Sequence, residues 1–156
     1  MQVIFNGTHK NQHMKINLLQ LKEKLKTLSG EDFDLEVADY LLAIKFDEKT
    51  LNPMQKRVVS TNVLDSEVFN GGFDQFYLNN EDEYIDDAID GLREFGATEF
   101  LELAIKSKEI YLRDKELYAH DRNPHFDTLD DRFNELNHYG ELRIKYVKSH
   151  LDEIIK

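Results

Sequence analysis

The chain has no cysteine among its 156 residues, which excludes disulfides, thiol catalysis and metal sites built on thiolate, and makes a reducing compartment the natural setting. It has only two prolines, Pro53 and Pro124, and seven glycines, so helical segments meet few breaks. Long apolar runs are lacking too. The first is Val3, Ile4 and Phe5, too short for an export signal, and no stretch approaches the roughly 18 continuous apolar residues of a membrane span. A cytoplasmic protein without membrane contact is the expectation. Positive charge is scarce: 20 bases stand against 31 acids, for a net charge of −11. Such a chain repels nucleic acid and anionic lipid and attracts basic partners.

Leu, Ile, Val and Phe fill 47 of the 156 positions, too many for a chain that stays disordered, and the length suits one domain. The acidic surplus is local. Residues 1–28 carry five lysines against Glu23, whereas residues 29–50 carry seven acids against Lys45 and Lys49. Residues 81–102 hold nine acids, Glu81, Asp82, Glu83, Asp86, Asp87, Asp90, Glu94, Glu99 and Glu102, against Arg93 alone.

Apolar periodicity predicts an all-α domain of six to eight helices over residues 14–156, behind a polar tail at 1–13. Leu18, Leu21, Leu25 and Leu28 give a basic first helix that Ser29-Gly30 ends. Residues 33–46 put Leu35, Ala38, Leu42 and Phe46 on one side, with Val37, Leu41 and Ile44 on a second flank. Pro53 suits the first turn of a helix to Phe69, although Val58, Val59, Val63 and Val68 would also suit a strand. A helix over 81–95 would be capped by Asn80, with Glu83 at its third position and Ile85, Ala88, Ile89, Leu92 and Phe95 as its apolar stripe. Gly96 stops it. A helix over 97–118, one opening at Thr128 and a last one beyond Gly140 complete the pattern.

Residues 67–79 read Glu-Val-Phe-Asn-Gly-Gly-Phe-Asp-Gln-Phe-Tyr-Leu-Asn. Phe69, Phe73 and Phe76 recur at helical spacing around Gly71-Gly72, which lets a helix bend or a backbone approach. This is an aromatic junction. It is not a phosphate loop, because the G-x-G-x-x-G spacing and the Walker lysine are both missing.

The same stretch, with Asn70, Gly71, Gly72, Phe73 and Phe76 at its centre, resembles the Asn-Gly-Gly-Phe signature of the bacterial DNA-mimic-protein family. Asp86 to Leu92 with Gly96-Ala97, and the later Asp127, Leu129, Asp130 and Phe133, extend the likeness to about residues 33–155. The resemblance implies an acidic all-helical cytoplasmic protein, often dimeric, whose carboxylates imitate duplex phosphates on a basic DNA-binding protein such as a transcription factor. With the acidic charge, the expectation is a non-enzymatic binding protein with no cofactor and no direct nucleic-acid binding. The signature itself marks packing.

On the 81–95 helix, Asp82, Asp86, Asp90 and Glu94 recur every four residues, about 6 Å apart along the axis. They face away from the apolar stripe. Like charges at this spacing cost about 0.2–0.5 kcal/mol per pair, far less than the burial of the stripe contributes at about 1.5–3 kcal/mol per side chain. The nine acids of 81–102 are therefore the candidate phosphate-mimicking surface, extended by Glu31 to Asp39. Two plainer readings stand beside it: a solvated helix face whose first-turn acids suit the dipole, and a patch neutralised by the basic first helix folding across it.

Other sites are weaker. His9 and His13 are four apart but lack the carboxylate of H-E-x-x-H. His120, Asp121, His125 and Asp127 flank Asn123-Pro124 and define the alternative of a small metal-dependent enzyme. No metal or catalytic residue is assigned. A second binding alternative is an immunity or antitoxin-like inhibitor of a basic nuclease.

Overall fold

A computed structural model describes residues 17–156, and among them it holds eight α-helices, one 3₁₀ turn and no strand. The helices are α1 (Leu18–Thr27), α2 (Gly30–Phe46), α3 (Pro53–Asn80), α4 (Ile85–Phe95), α5 (Thr98–Asp114), α6 (Asp127–Glu135), α7 (Gly140–Ser149) and α8 (Leu151–Ile154), with the 3₁₀ turn at Pro124–Phe126. None is long and apolar enough to cross a membrane.

Local chemistry starts these elements. Asn17 caps α1 by accepting the Gln20 N–H at 3.1 Å, and Leu21 and Leu25 are its buried face. Asn52 and Gln55 form a reciprocal capping box at 2.9 Å each way, with Pro53 in the first turn of α3. Val58, Val59 and Val68 pack from this helix into the core, so the β-branched run is not a strand.

Two expectations shift. Leu35 and Phe46 on α2 are 58% and 83% exposed, whereas Phe33, Val37, Tyr40 and Leu41 are buried. Apolar residues occupy both flanks of α2, and its packing on α3 and α7 selects between them. The helix expected from Glu81 begins instead at Ile85. Asn80 does not cap it, because the Asn80 amide donates back to the Phe76 carbonyl at 2.8 Å. Residues 81–84 form a turn that reverses the chain.

The Asn-Gly-Gly-Phe stretch is a kink inside α3. Gly72 adopts φ +77°, a left-handed conformation that a side chain resists, and a Cβ there would fall 2.4 Å from Asp130 Oδ2. The kink breaks the helical ladder. The Phe73 N–H donates instead to Asp130 Oδ1 of α6 at 2.8 Å, so the late Asp-x-Leu-Asp-x-x-Phe stretch caps the second half of the signature helix. Phe133, three residues on, stands edge-on to Phe69, Phe73 and Phe100 at centroid distances of 5.0, 5.7 and 4.9 Å. On the outer side, Gln75 Nε2 and Asn79 Nδ2 donate to Glu67 Oε2, and Asn70 Nδ2 donates to Gln75 Oε1.

Beyond the turn, α4 runs back along α3 and buries Ile85, Ala88, Ile89, Leu92 and Phe95. Contact is close: a Cβ on Gly91 would lie 2.8 Å from Thr61 Cγ2 and 2.9 Å from the Arg57 carbonyl oxygen. Burial of such a stripe stabilises by about 1.5–3 kcal/mol per large side chain, and it fixes which face of α4 is left to solvent.

One charged cluster lies inside. Arg143, 1% exposed, donates from Nε to Asp34 Oδ1 at 2.9 Å and from Nη1 to Asp65 Oδ2 at 2.7 Å, and its Nη2 also meets Asp34. Burial alone would lower the guanidinium pKa, but its bonds to Asp34 and the charge of Asp65 hold it above the usual range. His138 Nε2 lies 3.1 Å from the same Asp65 oxygen, and His138 Nδ1 accepts the Gly140 N–H at the start of α7.

Candidate anionic interface

Because the apolar stripe of α4 is turned inward, Asp86, Asp90 and Glu94 are exposed on its opposite face. The rise of a helix separates successive carboxylates by about 6 Å along the axis. Asp87 is half-buried at the edge of the row. Asp82 does not continue the row along a helix as expected; it sits with Glu81 and Glu83 on the exposed 81–84 turn. Glu99 and Glu102 stand exposed on α5, across the Gly96-Ala97 connection. The nine acids thus occupy one contiguous length of chain spread over a turn and two successive helices.

Their partners divide them. Glu83 is met by Lys45, Asp86 by Lys108 at 2.5 Å, Asp90 by Arg93 at 2.8 Å and Glu99 by Arg132 at 2.7 Å. Among the described residues, Glu81, Asp82, Asp87, Glu94 and Glu102 form no ion pair within 4 Å, although Arg57 lies within electrostatic reach of Glu94 and Asp90. Exposed pairs contribute only about 0–1 kcal/mol each and are screened by salt, so a competing cation displaces them at little cost. Among the described residues, the lysines of the basic first helix do not neutralise this surface. Lys22 pairs with Asp152, Lys24 with Glu36 and Lys26 with Glu23. Lys10, Lys15, His9 and His13 lie outside the described residues.

Helix electrostatics explains part of the row. Asp86 and Asp87 sit in the first turn of α4, where the dipole favours anions. Glu94 sits in the last turn, where it opposes the dipole. Glu81 is the other anomaly, because it adopts φ +50° to end α3. A non-glycine residue held there stores about 1–3 kcal/mol, a pattern that gathers at functional sites.

The acidic turn also acts on an aromatic stack behind it. Tyr77 and Tyr111 are parallel, with centroids 4.2 Å apart. Burial raises the Tyr77 phenol, and so do the neighbouring Tyr111, Asp86 and Asp82; burial and then Asp82 and Glu81 raise Tyr111.

The second acidic zone is less available. Glu31, Asp32 and Asp39 are exposed on α2, but Glu36 is tied to Lys24 and Asp34 is inside, bound to Arg143. Asp34 is therefore not a surface acid.

The turn around Asn123-Pro124 does not assemble as a metal centre. His125 Nδ1 lies 2.8 Å from Asp114 Oδ2, the same oxygen that accepts from Asn123 Nδ2 at 3.0 Å. The Arg113 guanidinium grips that carboxylate at 2.6 Å and holds its pKa well below the usual range. His120 stands apart and exposed, and no group of three His, Asp or Glu side chains converges on a metal position among the described residues.

Fold and surface together define an acidic all-helical domain whose signature residues bend and cap a helix and whose carboxylates stand outward on a neighbouring one. The model of the DMP19-like protein family matches residues 49–150, and the chain belongs to this family. The matched span contains the kink, the acidic ridge and the Asp130 cap, and leaves out α1, α2 and α8. No curated protein and no solved structure matches the chain.

Proposed function

We propose that this protein is a non-enzymatic DNA mimic that occupies the basic DNA-binding face of a protein such as a transcription factor. The ridge formed by Glu81, Asp82, Glu83, Asp86, Asp87, Asp90 and Glu94, flanked by Glu99 and Glu102, stands in for a run of phosphates. One observation carries the reading: the exposed face of α4 keeps Glu94 in its dipole-opposed last turn, without an ion pair among the described residues. The helix dipole gives no reason for that choice and Arg57 approaches only within electrostatic reach, whereas recognition of a basic surface does. The work proceeds in the cytoplasm without a cofactor, and pairing of two copies would double the anionic surface.

The test is competition. Purified protein is titrated into complexes of candidate repressors with labelled operator DNA, at low and at high salt. Displacement at low salt that fades as salt rises is expected, because basic nucleic-acid sites draw much of their affinity from charge. No displacement from any candidate at low salt refutes the proposal. Inhibition of a basic nuclease without displacement of any repressor would move the same surface to the nuclease-inhibitor reading.

A further inference from the structure

A cavity of about 690 Å³ lies at the foot of the acidic turn, between the second half of α3, the end of α5 and the loop leading to Pro124–Phe126. Its wall is an aromatic stack. Tyr111 lies on Tyr77, and Tyr77 lies on Phe126 at 5.6 Å and 15°. Tyr77 and Phe126 are buried, but Tyr111 at the end of the stack is half-exposed. The chain's own Lys115 Nζ sits over the Tyr111 ring at 5.9 Å. That distance is at the outer limit of a cation–π contact, so the ring accepts a cation without being sealed by one.

The floor is a carboxylate with half its capacity unused. Asp74 Oδ1 accepts the Asn123 N–H at 2.9 Å, whereas Asp74 Oδ2 is buried with no hydrogen-bond partner among the described residues. The nearest cation, Arg122 Nε, is 4.0 Å from it and is itself drawn off by Asp127. Burial raises the Asp74 carboxyl pKa above its usual value, against the lowering effect of the Asn123 bond. Glu81, Glu116 and Asp121 stand exposed at the rim. Glu81 belongs to both the rim and the ridge, so the two surfaces are continuous.

A flat aromatic face, a buried acceptor in want of a donor and an anionic rim match a planar cation that stacks and donates in its own plane. A guanidinium does both, and an ammonium does not stack. We propose that this cavity is a socket for an arginine side chain presented by the basic partner that docks on the ridge. The source of the arginine rests on the DNA-mimic reading; the chemistry of the socket does not.

The experiment uses the full chain, labelled with ¹⁵N, and short glycine peptides carrying one arginine or one lysine. The arginine peptide is expected to shift amides of residues 71–78 and 111–123 and to bind at least fivefold more tightly than the lysine peptide. Asp74→Asn and Tyr111→Leu should each weaken it at least fivefold. Glu116→Gln, at an exposed position on the rim, should weaken it about twofold, with circular dichroism confirming that all three variants are folded. Glu141→Gln, at an exposed position on α7 outside both the cavity and the ridge, should leave it unchanged. Equal binding of both peptides, shifts confined to residues 81–94, or full affinity in folded Asp74→Asn and Glu116→Gln overturns the socket. Arginine binding without displacement of any DNA-binding protein keeps the socket and removes the mimic. Displacement by a protein that ignores the arginine peptide does the reverse.

Discussion

Two groups of carboxylates in this molecule are handled in opposite ways. Asp34 and Asp65 are buried and share Arg143, which is 1% exposed and donates to both. Asp86, Asp90 and Glu94 are exposed on α4, paired loosely or unpaired among the described residues. The first group is bound to the chain's own cation in a low-dielectric interior, where leaving either sign alone is costly. The second is open to an outside cation. Charge count alone treats these acids alike; only their burial and partners separate them.

The sharpest way to break this contrast is Arg143→Met. It leaves two carboxylates buried without a counter-charge, and a loss of about 3–5 kcal/mol is expected, read from the urea midpoint. A loss below about 1 kcal/mol would mean that the interior acids are solvated after all, and the distinction would fail.

The next effect concerns the signature itself. Asp130→Ala strips the acceptor from the Phe73 N–H at the kink and is expected to cost about 1–3 kcal/mol. Asp130→Asn keeps an oxygen at that place and should cost far less. The two variants also differ in pH response from the wild type. Burial raises the Asp130 carboxyl above its ordinary value, more than the Phe73 bond lowers it. The native state therefore holds this proton more tightly than the unfolded chain does. Asp130 should make wild-type stability rise as pH falls from above the native value towards the unfolded value of about 3.9, and add nothing further below that. The difference between wild type and Asp130→Asn, followed by urea unfolding from pH 7 to pH 4, should show that rise. A flat difference would place Asp130 in solvent.

Much of this architecture is legible in the sequence. The stripe Ile85, Ala88, Ile89, Leu92 and Phe95 lies on one helical arc with no rival, so its burial and the exposure of Asp86, Asp90 and Glu94 follow from period alone. On α2 the arc is ambiguous, because Phe33, Leu35, Val37, Leu41 and Phe46 surround the helix, and only packing on α3 and α7 decides that Leu35 and Phe46 stay out. The start of α4 is misread for a different reason. Asn80 and Glu83 make a good local capping pattern, but Asn80 is still inside α3, and local signals do not reveal where the previous helix ends. The partners of Arg143 are 78 and 109 residues away, and Asp74 is 49 residues from the Asn123 that it holds. No spacing rule reaches that far. A Gly-Gly pair inside a helix does signal a backbone donor that needs an acceptor; that the acceptor is Asp130 is tertiary information.

A smaller effect tests whether the acidic turn is held for a purpose. Glu81 ends α3 at φ +50°, and glycine relaxes such a conformation, so Glu81→Gly should stabilise the fold by about 0.5–1 kcal/mol. If the same variant also loses affinity for a DNA-binding protein, as judged by the concentration needed to displace operator DNA, the strained residue is kept for its carboxylate. If it loses stability instead, the turn is set by contacts of the Glu81 side chain.

The smallest expected change in stability belongs to the ridge and carries the most functional weight. Neutralising it as Asp86→Asn, Asp90→Asn and Glu94→Gln together removes two exposed pairs, with Lys108 and Arg93, worth about 0–1 kcal/mol each. It also relieves two like-charge steps at about 0.2–0.5 kcal/mol each, and a dipole conflict at Glu94 of similar size. These terms oppose one another, so the unfolding free energy, read from the urea midpoint, should change by no more than about 0.5 kcal/mol. Displacement of operator DNA, by contrast, should weaken at least tenfold, and its dependence on salt should flatten because fewer charges face the partner. A triple variant as unstable as Arg143→Met would make the ridge part of the scaffold. One that keeps both its stability and its competition would leave the row as ordinary solvated surface, and the two groups of carboxylates would differ in burial alone.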